Sequence, residues 1–101
     1  MGAVTPDETR VFLDQMWERF AHLADERVAA MEIYVGAVRT GMQSEEQRAA
    51  AESAAHKLAG ALGSYHRPGS DEAARVEQLL IDHGAVDDLE PLVRRLRELI
   101  Q

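Results

Sequence analysis

The 101-residue sequence predicts an all-α fold, an antiparallel up-and-down four-helix bundle whose first helix is long and open to a kink. Three observations predict it. Apolar residues recur in steps of three and four along the whole chain, with no sustained period-2 alternation. The composition favours helix formers, with 16 Ala and 10 Arg alongside many Glu, Leu and Gln, and lacks β-branched runs. The three Pro and most of the seven Gly fall where the periodicity breaks.

The first helix is expected over about 6–40. Thr5 is a capping residue, Pro6 suits the first helical position, and Glu8 completes a capping box. The apolar series Phe12, Leu13, Met16, Trp17, Phe20, Leu23, Ala24, Val28, Met31, Tyr34, Val35 and Val38 holds one phase until Gly41, a C-terminal stop. At 1.5 Å per residue such a helix is about 50 Å long. A kink near Ala21–Asp25 would shorten it, although the unbroken phase argues against a loop there.

Ser44-Glu45-Glu46-Gln47 is a second capping box and opens a helix over about 44–64. His66-Arg67-Pro68-Gly69 reads as a turn. Ser70-Asp71-Glu72 caps a third helix over about 70–83, with acids in the first turn where the macrodipole favours them, and Gly84 ends it. His83 reads as a C-terminal His near the helix dipole. Asp87 or Asp88 caps the last helix over about 88–100, with Pro91 in its first turn and the stripe Leu89, Leu92, Val93, Leu96, Leu99 and Ile100. The short connections make successive helices antiparallel neighbours in one domain, 1–101.

Composition excludes several functions. The chain is 46% apolar and 29% charged, the balance of a globule rather than a disordered segment. A net charge of −7 disfavours nucleic-acid phosphate as a partner. With no Cys, disulfides, thiol catalysis and Cys-ligated zinc are excluded. His22, His56, His66 and His83 lack ligand-like spacing, so no metal site is expected. No apolar run is long enough for a membrane span, and the N-terminus lacks the basic and apolar regions of a secretory signal, so a cytoplasmic location is expected. Neither a dinucleotide-binding nor a P-loop glycine motif is present.

The second helix carries the functional signal. On a wheel of about 100° per residue, Ala51, Ala54, Leu58, Ala61, Leu62 and Tyr65 form the core half. His56 points to the opposite side. Around it lie Ala49, Glu52, Ser53, Ala59, Gly60 and Gly63, mostly short side chains. A mid-helix Gly costs roughly 1 kcal/mol relative to Ala. Two of them on a solvent face suit a surface that another protein approaches closely. The only Lys, Lys57, adjoins His56 and can bring an ammonium beside a negatively charged adduct.

The stretch Ala54-Ala55-His56-Lys57-Leu58-Ala59-Gly60-Ala61-Leu62-Gly63-Ser64 resembles the active-site helix of histidine-containing phosphotransfer (HPt) domains, closest to a bacterial His-Lys-Leu-Ala-Gly subgroup. Gly69-Ser70-Asp71-Glu72-Ala73-Ala74-Arg75-Val76-Glu77 and Trp17-Glu18-Arg19-Phe20 resemble the same subgroup, so the resemblance covers most of the chain. It implies that His56 is the phospho-acceptor, that Lys57 stabilises charge, and that Glu52, Ser53, Ala59, Gly60, Gly63 and Arg67 contribute to a receiver-docking face. The implied partners are a response-regulator receiver domain and a hybrid sensor histidine kinase. The implied role is a phosphorelay intermediate without turnover or a cofactor of its own, Mg²⁺ being held by the receiver. The physics agrees: neutral imidazole is a usable nucleophile near pH 7 without an activating base. Phosphoryl transfer demands positioning and charge neutralisation more than covalent help. Glu52, one turn before His56, either orients the second ring nitrogen or is a solvated acid.

Two departures from the family pattern stand out. Ala59 occupies a position where many members have Lys, leaving cationic help to Lys57 alone. Tyr65-His66-Arg67-Pro68 replaces an aromatic followed by Gly and adds bulk at one edge of the docking face. Two other readings compete. A degenerate helical adaptor would dock a receiver without transfer. A kinase dimerisation domain would usually follow its His with an acid and then a Pro, which this sequence does not.

Overall fold

A computed structural model describes residues 5–101. It contains α1 (Pro6–Arg39), α2 (Glu45–Ser64), α3 (Ser70–Ile81) and α4 (Val86–Ile100), and no strand among the described residues. Each helix packs on two neighbours, in the ring α1–α2–α3–α4–α1, with the backbones of the diagonal pairs farther apart. Short connections between ring neighbours give the up-and-down bundle expected.

The core is one cluster along the ring's axis. Trp17, Ala24, Val28, Met31 and Val35 of α1 meet Ala51, Ala54, Ala55, Leu58 and Leu62 of α2, and α3 and α4 close it with Ala73, Val76, Leu80, Leu89, Val93 and Leu96. Three of the five buried α2 residues are alanines, which hold that helix close to its neighbours. Met31, Leu58 and Leu96 are the anchors, each 1% exposed or less.

Helical bonding in α1 runs unbroken through 21–25, so no loop interrupts it. The helix outruns its partners in a molecule of 59 × 21 × 20 Å. Every residue from Thr5 to Phe12 is exposed, and burial begins with Leu13 and Trp17. Five members of the expected apolar stripe stay outside the core: Leu13, Met16 and Val38 are half-buried, Phe12 is 59% exposed and Leu23 37%. Phe12 lies beyond the end of α2, and Leu23 sits at the outer edge of the stripe.

The capping boxes of Thr5 with Glu8 and of Ser44 with Gln47 are both formed. Gly41, at φ +71°, follows the last turn of α1, and the Met42 amide donates to Ala37 O at 2.8 Å, a closing bond that a left-handed residue permits. His66 and His83 adopt the same left-handed conformation after α2 and α3.

Two expected caps differ. Gly69, at φ +111°, precedes α3, and Ser70 is already helical. The Ser70 hydroxyl donates instead to the carbonyl of Ala59 at 2.9 Å. The last helix begins at Val86 after Ala85, with no side-chain cap, two residues earlier than expected. Asp87 and Asp88 lie within its first turn, and Asp87 binds Arg39 of α1 at 2.8 Å. Pro91 consequently falls past the first turn, on the exposed side of α4, where water can serve the carbonyl it leaves unpaired.

Candidate functional site

α2 holds His56 mid-helix on its outer side, with Ala55 and Leu58 buried beneath it. The imidazole is 74% exposed. Its Nδ1 lies 2.8 Å from Oε2 of Glu77, which reaches across from α3 and is only a quarter exposed. Nε2 is the ring nitrogen left without a protein partner among the described residues. A shallow open hollow beside the ring is lined by Ala49, Glu52, Ser53, His56 and Glu77.

Glu52 does not hold the second ring nitrogen. It pairs with Arg48 at 2.8 Å. Arg48 also grips Glu45 and donates to Leu80 O at 3.0 Å, tying the start of α2 to the end of α3. The hydrogen bond from Arg48 holds the Glu45 carboxyl below its ordinary value, and the two carboxylates raise the Arg48 guanidinium further. The carboxylate beside the second ring nitrogen is that of Glu77, not Glu52. Its signal was present, because Glu77 ends the Gly69–Glu77 segment, but no spacing within one helix reveals a partner on the next.

The small residues around His56 divide. Gly60 faces open space. A Cβ on Gly63 would meet Ser70 Oγ at an ordinary 3.5 Å, so Gly63 borders the α2–α3 seam. Ala59 is half-buried at that seam, its carbonyl taken by Ser70. Ser53 and Lys57 lie toward α1 in a second groove, shared with Arg27.

Arg67 stands apart, at the end of the bundle. Its guanidinium lies 4.9 Å from the centre of the Trp17 ring and its Nη2 donates to Asp14 at 3.3 Å. Trp17, Phe20 and Tyr65 form an aromatic cluster beside it, with centroids 5.5–6.1 Å apart. Tyr65 follows His56 by nine positions, about 13 Å along a helix axis. Among the described residues no three His, Asp or Glu side chains converge as a metal site, and no helix is long and apolar enough to cross a membrane.

The arrangement presents one nucleophilic nitrogen to solvent on a rigid helix, with a carboxylate behind the other nitrogen. No curated protein and no solved structure matches the chain. The model of the Hpt domain family matches residues 15–101, which include all of α2, α3 and α4, and the chain thus belongs to the Hpt domain family.

Proposed function

We propose that this chain accepts a phosphoryl group on Nε2 of His56 from a receiver-domain aspartate, or through a hybrid kinase, and passes it to another receiver. This is the finer form of the histidine phosphotransfer role in two-component signalling that family membership implies. The observation that carries it is the exposed His56 ring with Nδ1 against Glu77. A carboxylate beside Nδ1 favours the tautomer with the proton there, leaving the Nε2 lone pair free. That pair attacks phosphorus in line. The bond from phosphorus to the aspartyl oxygen breaks, and the aspartate leaves as a carboxylate. No proton has to leave His56, and the positive charge the ring acquires lies beside Glu77. Lys57 adds an ammonium near the adduct, and the receiver supplies Mg²⁺ and its own acidic site. As Hpt domains are carriers, the chain has no independent turnover.

Incubation with a phosphorylated receiver and Mg²⁺ tests this. The expected product is an acid-labile, base-stable phosphoryl group that His56→Gln abolishes and His66→Gln leaves intact. Label persisting in the His56 variant overturns the assignment. Wild-type protein that binds the receiver but takes no label is instead an adaptor.

A further inference from the structure

Most basic side chains are spent on carboxylates. Arg39, Arg67 and Arg97 hold acids on other helices, and Arg10, Arg48, Arg94 and Arg95 pair along their own. Among the described residues, Arg19, Arg27, Lys57 and Arg75 have no carboxylate within 4.0 Å. Two of these four, Arg27 and Lys57, line one groove between α1 and α2. Ala30, Ala50 and Ala54 form its apolar lining, and Glu26, which also lines it, lies more than 4.0 Å from both cations. Ser53 lines this groove and also the hollow beside His56, so the two are continuous across α2.

Arg27 is held in place. Its guanidinium carbon lies 5.0 Å from the centre of the Phe20 ring, two turns earlier on α1, and the side chain is half-buried. Such a platform restricts the stem while leaving the charge unspent.

We propose that Arg27 is a docking residue for the receiver, forming with Lys57 a two-cation flank that meets the acidic rim around the receiver's aspartate. The inference rests on the phosphotransfer reading of His56. A receiver site that holds Mg²⁺ and an acceptor aspartate concentrates carboxylates. This chain carries −7, so two acidic surfaces must meet. A local pair of cations free of ion pairs, outnumbering the one acid of their groove, offsets that repulsion beside the acceptor and orients the encounter. Ala59 stands where many HPt domains have Lys, and α1 returns a cation to the site from the other side of α2.

The test is the second-order rate of transfer from a phosphorylated receiver at low and high salt, for wild type, Arg27→Ala, Arg27→Lys and Arg75→Ala, with a thermal melt of each. Arg27→Ala is expected to slow transfer about tenfold at low salt and far less at high salt, with the same final level of label. Arg27→Lys retains most of the rate, and Arg75→Ala, which lies on α3 outside the groove, matches wild type. Arg27→Ala transferring at the wild-type rate overturns the proposal. So does an equal loss in Arg75→Ala, which reports overall charge, or a salt-independent loss with a lowered melting temperature, which reports a structural role. Wild-type protein that takes no label overturns the phosphotransfer reading, and this proposal with it.

Discussion

Glu77 of α3 sets its Oε2 2.8 Å from Nδ1 of His56 on α2, so a carboxylate from a neighbouring helix faces one ring nitrogen of an exposed imidazole. Glu77→Ala is expected to lower the Nδ1–H fraction, read from the ring ¹⁵N shifts, and to slow phosphotransfer about tenfold, or ~1.4 kcal/mol of barrier. Glu77→Gln keeps a carbonyl oxygen to accept from Nδ1–H and should retain most of the rate. Unchanged ring shifts in Glu77→Ala would show that Glu77 does not set the tautomer.

Gly69→Ala should destabilise the fold by about 1–3 kcal/mol in urea titration. The backbone at φ +111° disfavours any Cβ, and an added one would lie 3.1 Å from Leu62 and 3.3 Å from Leu96 and Leu99. The site itself is untouched, so transfer per folded molecule should stay at the wild-type value.

Gly60 is the opposite case. Nothing lies within 4 Å of a Cβ built there. Gly60→Ala should therefore raise stability by up to ~1 kcal/mol through helix propensity. Gly60→Glu should barely change the melt yet markedly weaken receiver binding by calorimetry. Equal affinity in Gly60→Glu would remove this rim from the contact surface.

The Arg48 cluster predicts a response to acid. Its hydrogen bond holds Glu45 below the ordinary 4.5, so the folded state binds that proton less readily than the unfolded chain. The stabilisation is fully present above the ordinary value and is lost as pH falls through the folded one. Urea midpoints of wild type and Glu45→Gln should differ at neutral pH and converge well below pH 4.5. A gap that widens on acidification would contradict this ion pair.

Much of the architecture was readable from local chemistry. The boxes at Thr5 and Ser44 are self-contained within four residues, and both formed. The α2 wheel separates His56 from Leu58 and Leu62 on geometry internal to one helix. The errors arise where a side chain answers to another element. Ser70 looks like a cap, but its hydroxyl goes to Ala59. Asp87 and Asp88 look like caps because acids suit a first turn as well as a cap, and Asp87 is drawn to Arg39. Phe12 keeps the helical phase but has no partner helix beside it. Of the residues assigned to the docking face, Glu52 is turned toward Arg48 one turn back on its own helix, and Arg67 toward Trp17 and Asp14 of α1.

The seam between α2 and α3 is fastened at three heights: Arg48 to Leu80 O, His56 to Glu77, and Ser70 to Ala59 O. Side chains tied at both ends and at the middle should open together, so amides of α2 and α3 are expected to share one slow hydrogen-exchange rate. For the proposed relay, a seam fastened this way means that donor and acceptor receivers fit one and the same helix face, and the pace of transfer is then set by how quickly one partner lets go before the next arrives.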